Sequence, residues 1–275
     1  MIRLKSILKR LFSIIRDPAM VFLPGNLAFF FVLSIFPILT LVGLIASFFS
    51  ISIDISTITG LLPKDVVDIL IPYTLGKGFD SNVGLFMIIG FIIASNGADA
   101  LVLASNQLYD IPNSNYIKRR IKDLVLIILI ILLIVFLFAF LGFGNQILNY
   151  IMKYISNNSV KNTIYKIFYL LKYPFAMFII YFNVKIIYTI APDDKIYSKT
   201  TTKGAIFTTI AWTLSTIIFS YYIKHFSNYG FFYGSLSNII ILVLWIYILA
   251  YILVIGIAVN SGQYNVKKEI NKDIE

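Results

Sequence analysis

The chain has 275 residues, of which 59% are hydrophobic and 13% are charged, about half the charged share of an ordinary soluble domain. With no cysteine and one histidine, it has no disulfide framework or thiolate metal site and little material for a zinc centre. The formal net charge of +10 fits either nucleic acid or a membrane protein whose Lys and Arg gather on the cytoplasmic side, so the placement of the charges must decide.

Residues 1–17 place Leu4, Ile7, Leu8, Leu11, Ile14 and Ile15 on one helical face. Arg3, Lys9, Arg10, Ser13, Arg16 and Asp17 fall on the other. This is a basic amphipathic helix, expected to lie in the inner leaflet, where each Lys or Arg near anionic lipid contributes about 1 kcal/mol. Arg3, Lys9, Arg10 and Arg16 are its membrane-surface residues. The apolar region continues past signal length without a small-residue cleavage site, which argues against a secretory signal.

The first span is predicted near 26–50, with Pro24-Gly25 as a turn before it. Asn26, Ser34 and Pro37 are its polar and helix-breaking residues; Pro37 frees a carbonyl one turn earlier that Ser34 or a neighbour can satisfy, giving either a hinge or a fixed kink. Residues 51–82 form a long, partly apolar loop in which LLPKDVVDILIPY reads as a short helix between Pro63 and Pro72.

The second span, near 83–107, carries the ionisable residue Asp99. Ser95, Asp99 and Asn106 share one side of a helix and Asn96 lies close by. Such a stripe either faces a water-filled cavity or places Asp99 at the interface, paired with Lys118, Arg119 or Arg120. Asp110-Ile111-Pro112-Asn113 ends this span. The third span, near 124–149, is free of charge.

The fourth span is predicted near 172–191, with Lys185 snorkelling and Pro192-Asp193-Asp194 as a turn. The fifth, near 204–223, is followed by Lys224 and by His225, a histidine without acidic neighbours and so a solvated interfacial residue. The last, near 236–260, follows Tyr233, Gly234 and Ser235 and contains Asn238, Trp245, Tyr247, Gly256 and Asn260. Gly234, Ser235 and Gly256 allow close helix approach, and Asn238 can bond across helices for roughly 0.6–2 kcal/mol. Trp245 and Tyr247 lie too deep for an interfacial belt and either pack in the bundle or line a cavity.

The charges sort with the alternation of these spans. Five Lys or Arg fall in residues 1–25, four in 118–122 and three each in 192–203 and 261–275, all on one side. The opposite loops hold seven, four of them between spans three and four. Both termini are therefore expected in the cytoplasm, with the lysine-rich 150–172 segment as the dissent. The expected fold is an all-α polytopic membrane protein: six transmembrane helices and an N-terminal interfacial helix in one membrane domain over 1–275.

The segment YGFFYGSLSNIIILVLWIYILAYILVIGIAVN (229–260), with its Tyr-Gly-Ser-Leu opening, Leu-Trp-Ile-Tyr centre and Gly-x-x-x-Asn close, resembles the BrkB/YihY family of bacterial inner-membrane proteins, also labelled ribonuclease BN-like. Ser34-Ile35-Phe36-Pro37, Asn106 with Tyr109, and Lys203-Gly204-Ala205 with Trp212 and Tyr222 are similar to other elements of that family. The resemblance implies six membrane helices with cytoplasmic ends and little defined biochemistry. Two departures stand out: Phe29 and Phe30 where the family commonly has paired tyrosines, and Ala258 where it often has an acid.

Three functions compete. The first is a transporter-like or lipid-handling protein of the bacterial cell envelope, with Ser34, Asn96, Asp99, Asn106, Asn238 and Asn260 lining a polar cavity and Pro37, Gly234, Ser235 and Gly256 as hinge or packing points. The second is a structural or assembly factor that binds partners or anionic lipid. The third is a nuclease, which the dispersal of thirteen acidic residues disfavours because phosphodiester hydrolysis wants clustered metal ligands. No catalytic residue, metal or cofactor is expected. The expected partners are membrane lipids, anionic at the inner leaflet, and not nucleic acid.

Overall fold

Seven α-helices and no strand occur among the described residues of the computed structural model, namely 19–48, 81–137, 140–141, 144–226 and 237–272. They are α1 (Ala19–Phe48), α2 (Ser81–Tyr109), α3 (Tyr116–Leu137), α4 (Gly144–Met152), α5 (Asn158–Ile190), α6 (Thr202–Phe226) and α7 (Ser237–Lys272). The amphipathic segment 1–17, the 51–80 part of the first loop, Gly234 and Ser235 lie outside the described residues. Pro37 and Asn238 are described only as members of α1 and α7.

Among the described residues, three stretches are long and apolar enough to cross a membrane: Asn158–Ile190, Thr202–Tyr222 and Ile239–Gly262. The side chains read as a protein turned toward lipid. Large apolar residues point outward at helical spacing, such as Val125, Ile128 and Leu132 on α3 and Ile210, Leu214, Ile217 and Tyr221 on α6. In water such stripes would drive aggregation. Facing acyl chains they carry no such penalty, and the interior instead collects small and polar residues, including Ala28, Ala94, Ala98, Ser95, Ser105, Thr208 and Asn260.

The helices form a closed ring. α1 packs on α2, α2 on α3, α3 on α5, α5 on α6, α6 on α7 and α7 back on α1, while α7 also touches α2 across the centre. The core runs through Leu27, Leu101, Leu126, Val184, Tyr188, Leu253 and Ile257.

Element boundaries depart from the sequence reading for local reasons. Pro24-Gly25 lies inside α1 rather than before it, where the proline removes a single ladder bond. α3 runs to Leu137 and α4 from Gly144, and the described residues between them, 140–141, have π-helical backbone, a local departure from α geometry inside the charge-free run from Leu124 that hydrophobicity does not register. α5 starts at Asn158, well before 172, because Asn157 caps it by accepting from the Ser159 and Val160 amides at 2.9 and 3.4 Å. α2 ends where expected: Asp110 has a left-handed φ of 55°. The Ile111 amide bonds the Asn106 carbonyl at 2.9 Å and the Asp110 amide bonds that of Gln107 at 3.3 Å, a Schellman closure that satisfies the last carbonyls of the helix.

Candidate functional site

Asp193 is the hub of a polar cluster joining the end of α2, the start of α3 and the bend between α5 and α6. Its carboxylate accepts from the Lys122 ammonium at 2.6 Å, the Asn106 amide at 2.7 Å and the Ser114 backbone N–H at 2.8 Å. Its own backbone N–H donates back to the Asn106 carbonyl oxygen at 2.8 Å. Asn106 also donates to Asn113 and Lys122 to the Pro192 carbonyl. The Asp193 side chain is 4% exposed. Burial acts to raise its pKa, but the bonds from Lys122, Ser114 and Asn106 outweigh burial and hold it at about 2.

Two turns back along α2 from Asn106, Asp99 pairs with Arg119 at 2.5 Å, and Arg120 donates to the Asn96 carbonyl oxygen at 3.1 Å. Asp123, 1% exposed, lies 3.9 Å from Arg120 through one oxygen, and its other oxygen has no hydrogen-bond partner among the described residues. Burial, helped by the charge on Asp99, pushes its pKa up to about 6 against the pull of Arg120 and Arg119, with Asp193 adding a smaller upward push.

A carboxyl with a raised folded pKa favours the fold while protonated, so stability is lost as pH rises from about 4 to about 6. Asp193, lowered, works in the opposite sense and only below about pH 4. Asp123→Asn should therefore flatten the melting temperature of the detergent-purified protein between pH 4.5 and 7 and raise it at pH 7. A pH slope equal to that of the parent protein would refute the assignment to Asp123.

A second polar feature locks α5, α6 and α7 together. The Gly204 amide, near the start of α6, donates to the Asn260 carbonyl oxygen at 2.7 Å, so α7 supplies a cap to α6 across the interface. Thr208 and Tyr188 share a 2.6 Å hydrogen bond, with Thr208 donating because the Tyr188 hydroxyl donates to the Leu253 carbonyl at 2.8 Å. Trp212 donates to the Leu249 carbonyl at 2.9 Å. The backbones approach closely: a Cβ on Gly204 would strike the Gly256 carbonyl oxygen and Asn260, and one on Gly256 would strike the Thr208 and Tyr188 hydroxyls.

The third feature is an apolar groove between α1 and α7, of 540 Å³, lined by Gly25, Ala28, Phe29, Val32, Val243 and Tyr247 among others. Its walls are almost wholly carbon. Gly25 leaves it open, since a Cβ there would meet nothing within 4 Å.

The polar residues singled out in the sequence thus separate. Asn96, Asp99 and Asn106 belong to the cluster of α2 and α3 and bond to named partners, whereas Asn260 and Gly256 sit at the α6–α7 crossing. Ser34 donates to the Phe30 carbonyl of its own helix at 2.7 Å; the carbonyl freed by Pro37 is that of Leu33, so the serine satisfies a different group. Tyr247 lines the groove, and Trp245 packs against the core. Sequence reasoning treated Asp193 as a turn residue and overlooked Asp123. The signal available for both was that they are the two acidic residues flanking a stretch, 124–192, that has none.

The family described as virulence factor BrkB matches residues 12–274. A ribonuclease-like protein of Bacillus subtilis (strain 168), YfkH, is 27% identical over 250 residues, covering 89% of this chain and 90% of that one. A UPF0761 membrane protein of Haemophilus influenzae is 29% identical over 92 residues, 34% of each chain. One of Alteromonas mediterranea is 34% identical over 71 residues, 26% of this chain and 24% of that one. The chain thus matches about a third or less of the length of these UPF0761 proteins. No solved structure matches at a significant level.

Proposed function

Because this chain belongs to the BrkB family of membrane proteins, we propose that it is a lipid-handling protein of the bacterial cytoplasmic membrane whose α1–α7 groove takes a phospholipid acyl chain. The observation that carries the proposal is the groove itself. Its 540 Å³ falls within the roughly 300–1,000 Å³ of small-molecule sites, and its carbon walls suit a hydrocarbon and little else. Phe29, at one of the two positions where the family commonly has tyrosine, removes a hydroxyl that would otherwise stand in this wall.

In this reading six spans cross the bilayer, contributed by α1, α2, α3 with α4, α5, α6 and α7. The termini and the Asp193 cluster lie on the cytoplasmic side, and residues 1–17 rest on anionic lipid of the inner leaflet through Arg3, Lys9, Arg10 and Arg16. This reading takes no reaction from the ribonuclease wording of the Bacillus subtilis relative. Among the described residues no group of three His, Asp or Glu is placed to hold a metal ion, and Asp99, Asp123 and Asp193 each face Arg or Lys.

The test is lipid movement. Purified protein in liposomes of phosphatidylethanolamine and phosphatidylglycerol should carry a fluorescent phospholipid between leaflets, read by dithionite bleaching. Gly25→Phe, which fills the groove where space is open, should slow it by about tenfold or more, the equivalent of about 1.4 kcal/mol, with an unchanged melting temperature. Undiminished movement in that variant would reject the groove. A second reading, a proton-coupled transporter, is favoured by one observation: the buried Asp123 carboxyl with an unpartnered oxygen beside Asp99 and Arg119. It predicts that movement responds to a pH gradient and that Asp123→Asn abolishes the response.

A further inference from the structure

Between Asp123 and Asp193 the chain carries five lysines and no acidic residue. One of them, Lys172 of α5, is 7% exposed. Its ammonium donates to the Asn145 carbonyl oxygen of α4 at 3.2 Å and lies 5.7 Å from the centre of the Phe168 ring. Among the described residues it has no other hydrogen-bond acceptor and no carboxylate partner. An ammonium has three donors, and a buried one is normally paired with an anion; a neutral amide and a ring face leave most of this charge unanswered.

Position identifies what can answer it. At about 1.5 Å per residue, Lys172 lies about 27 Å along α5 from its end at Ile190. That is close to the roughly 30 Å thickness of a hydrocarbon core, so with Ile190 and the Asp193 cluster at one membrane surface, Lys172 reaches the other. The surroundings suit a headgroup layer. Tyr150, Tyr154, Tyr169 and Tyr173 are exposed around it, as interfacial aromatics are. Lys153 and Lys166 are exposed on the same hairpin and Asn145 is exposed beside the ammonium, which opens the site on that side.

We infer that the α4–α5 hairpin binds the phosphate of an anionic phospholipid headgroup, with Lys172 as the buried anchor, Asn145 beside it and the neighbouring lysines contributing field. The net positive charge of an acid-free hairpin selects an anionic over a zwitterionic headgroup, and the membrane level selects a lipid over a soluble anion. The inference does not rest on the α1–α7 groove, and either can fail without the other.

Native mass spectrometry of the full chain in detergent tests it, with dioleoyl-phosphatidylglycerol, dioleoyl-phosphatidylcholine and inorganic phosphate as probes. Phosphatidylglycerol should bind at least about tenfold more tightly than phosphatidylcholine. Lys172→Met should remove the preference and Lys172→Arg should keep it. Asn145→Asp supplies a carboxylate to the ammonium from within the protein, so it should retain or raise the melting temperature while abolishing the preference, which separates a lost site from a lost fold. Equal binding of the two lipids, an undiminished preference in Asn145→Asp, or displacement of the lipid by an equal concentration of inorganic phosphate would overturn the inference.

Discussion

Asp193→Ala is expected to cost about 3–5 kcal/mol of stability, the range for breaking a buried ion pair by removing one partner. The substitution does more than delete a charge. Three donors from three parts of the chain converge on this carboxylate, from Lys122, Asn106 and the Ser114 backbone, and each is left without its acceptor in a poorly solvated place. Lys122 suffers most, being 16% exposed and retaining only the Pro192 carbonyl at 2.7 Å. Asp193→Asn should recover part of the loss, because an amide oxygen still accepts from Ser114 or Asn106 but offers no charge to Lys122. Asp194, next in sequence and exposed, is the internal control: Asp194→Ala should fall within about 0.5 kcal/mol of the parent protein. Thermal or urea unfolding in detergent reads all three. Equal effects at 193 and 194 would show that the bend, and not the carboxylate, matters.

Gly256→Ala is the second large effect, expected at about 3 kcal/mol, the upper end for overpacking. A methyl group there occupies the place of the Thr208 and Tyr188 hydroxyls. Moving those hydroxyls breaks the bond between them and the one from Tyr188 to the Leu253 carbonyl. Because the obstruction consists of side-chain oxygens, it can be relieved. Gly256→Ala combined with Tyr188→Phe and Thr208→Ala should be more stable than the sum of the separate losses, a coupling of about 1–2 kcal/mol within the range for contacting residues. Gly204→Ala has no such remedy, since its obstruction includes the Gly256 backbone carbonyl as well as Asn260. It should separate α6 from α7, break the Gly204 to Asn260 bond and resist rescue by side-chain truncation. Additive losses in the Gly256 cycle would mean that the helices had already moved apart to admit the methyl group.

The parts of this molecule that were legible in its sequence follow from single-residue physics. Apolar runs announce helices that face lipid, and the Asp110 turn announces the end of α2. Asn260 and Gly256 stood out because an amide and a missing Cβ are unusual in an apolar helix. What was not legible depends on partners brought from far along the chain. Nothing local in Pro192-Asp193-Asp194 distinguishes a solvent turn from the hub of a cluster, because its partners Asn106 and Lys122 lie some 70–90 residues away. The π-helical geometry at 140–141 falls in a run whose hydrophobicity is uninterrupted, and the groove is made of residues that are unremarkable individually. Asp99 could be narrowed to a cavity or a basic partner from its own sequence. Only the packing of α2 on α3 brought Arg119 to it.

The central claim, that the groove between α1 and α7 holds an acyl chain, is tested most directly by photo-crosslinking in bilayers with a phospholipid carrying a diazirine at the end of one chain. Adducts should concentrate on Val243, Leu244 and Tyr247, which line the groove, and should disappear from them in Gly25→Phe. Labelling spread equally over other exposed apolar positions such as Leu132 and Ile217, and unaffected by Gly25→Phe, would contradict the claim.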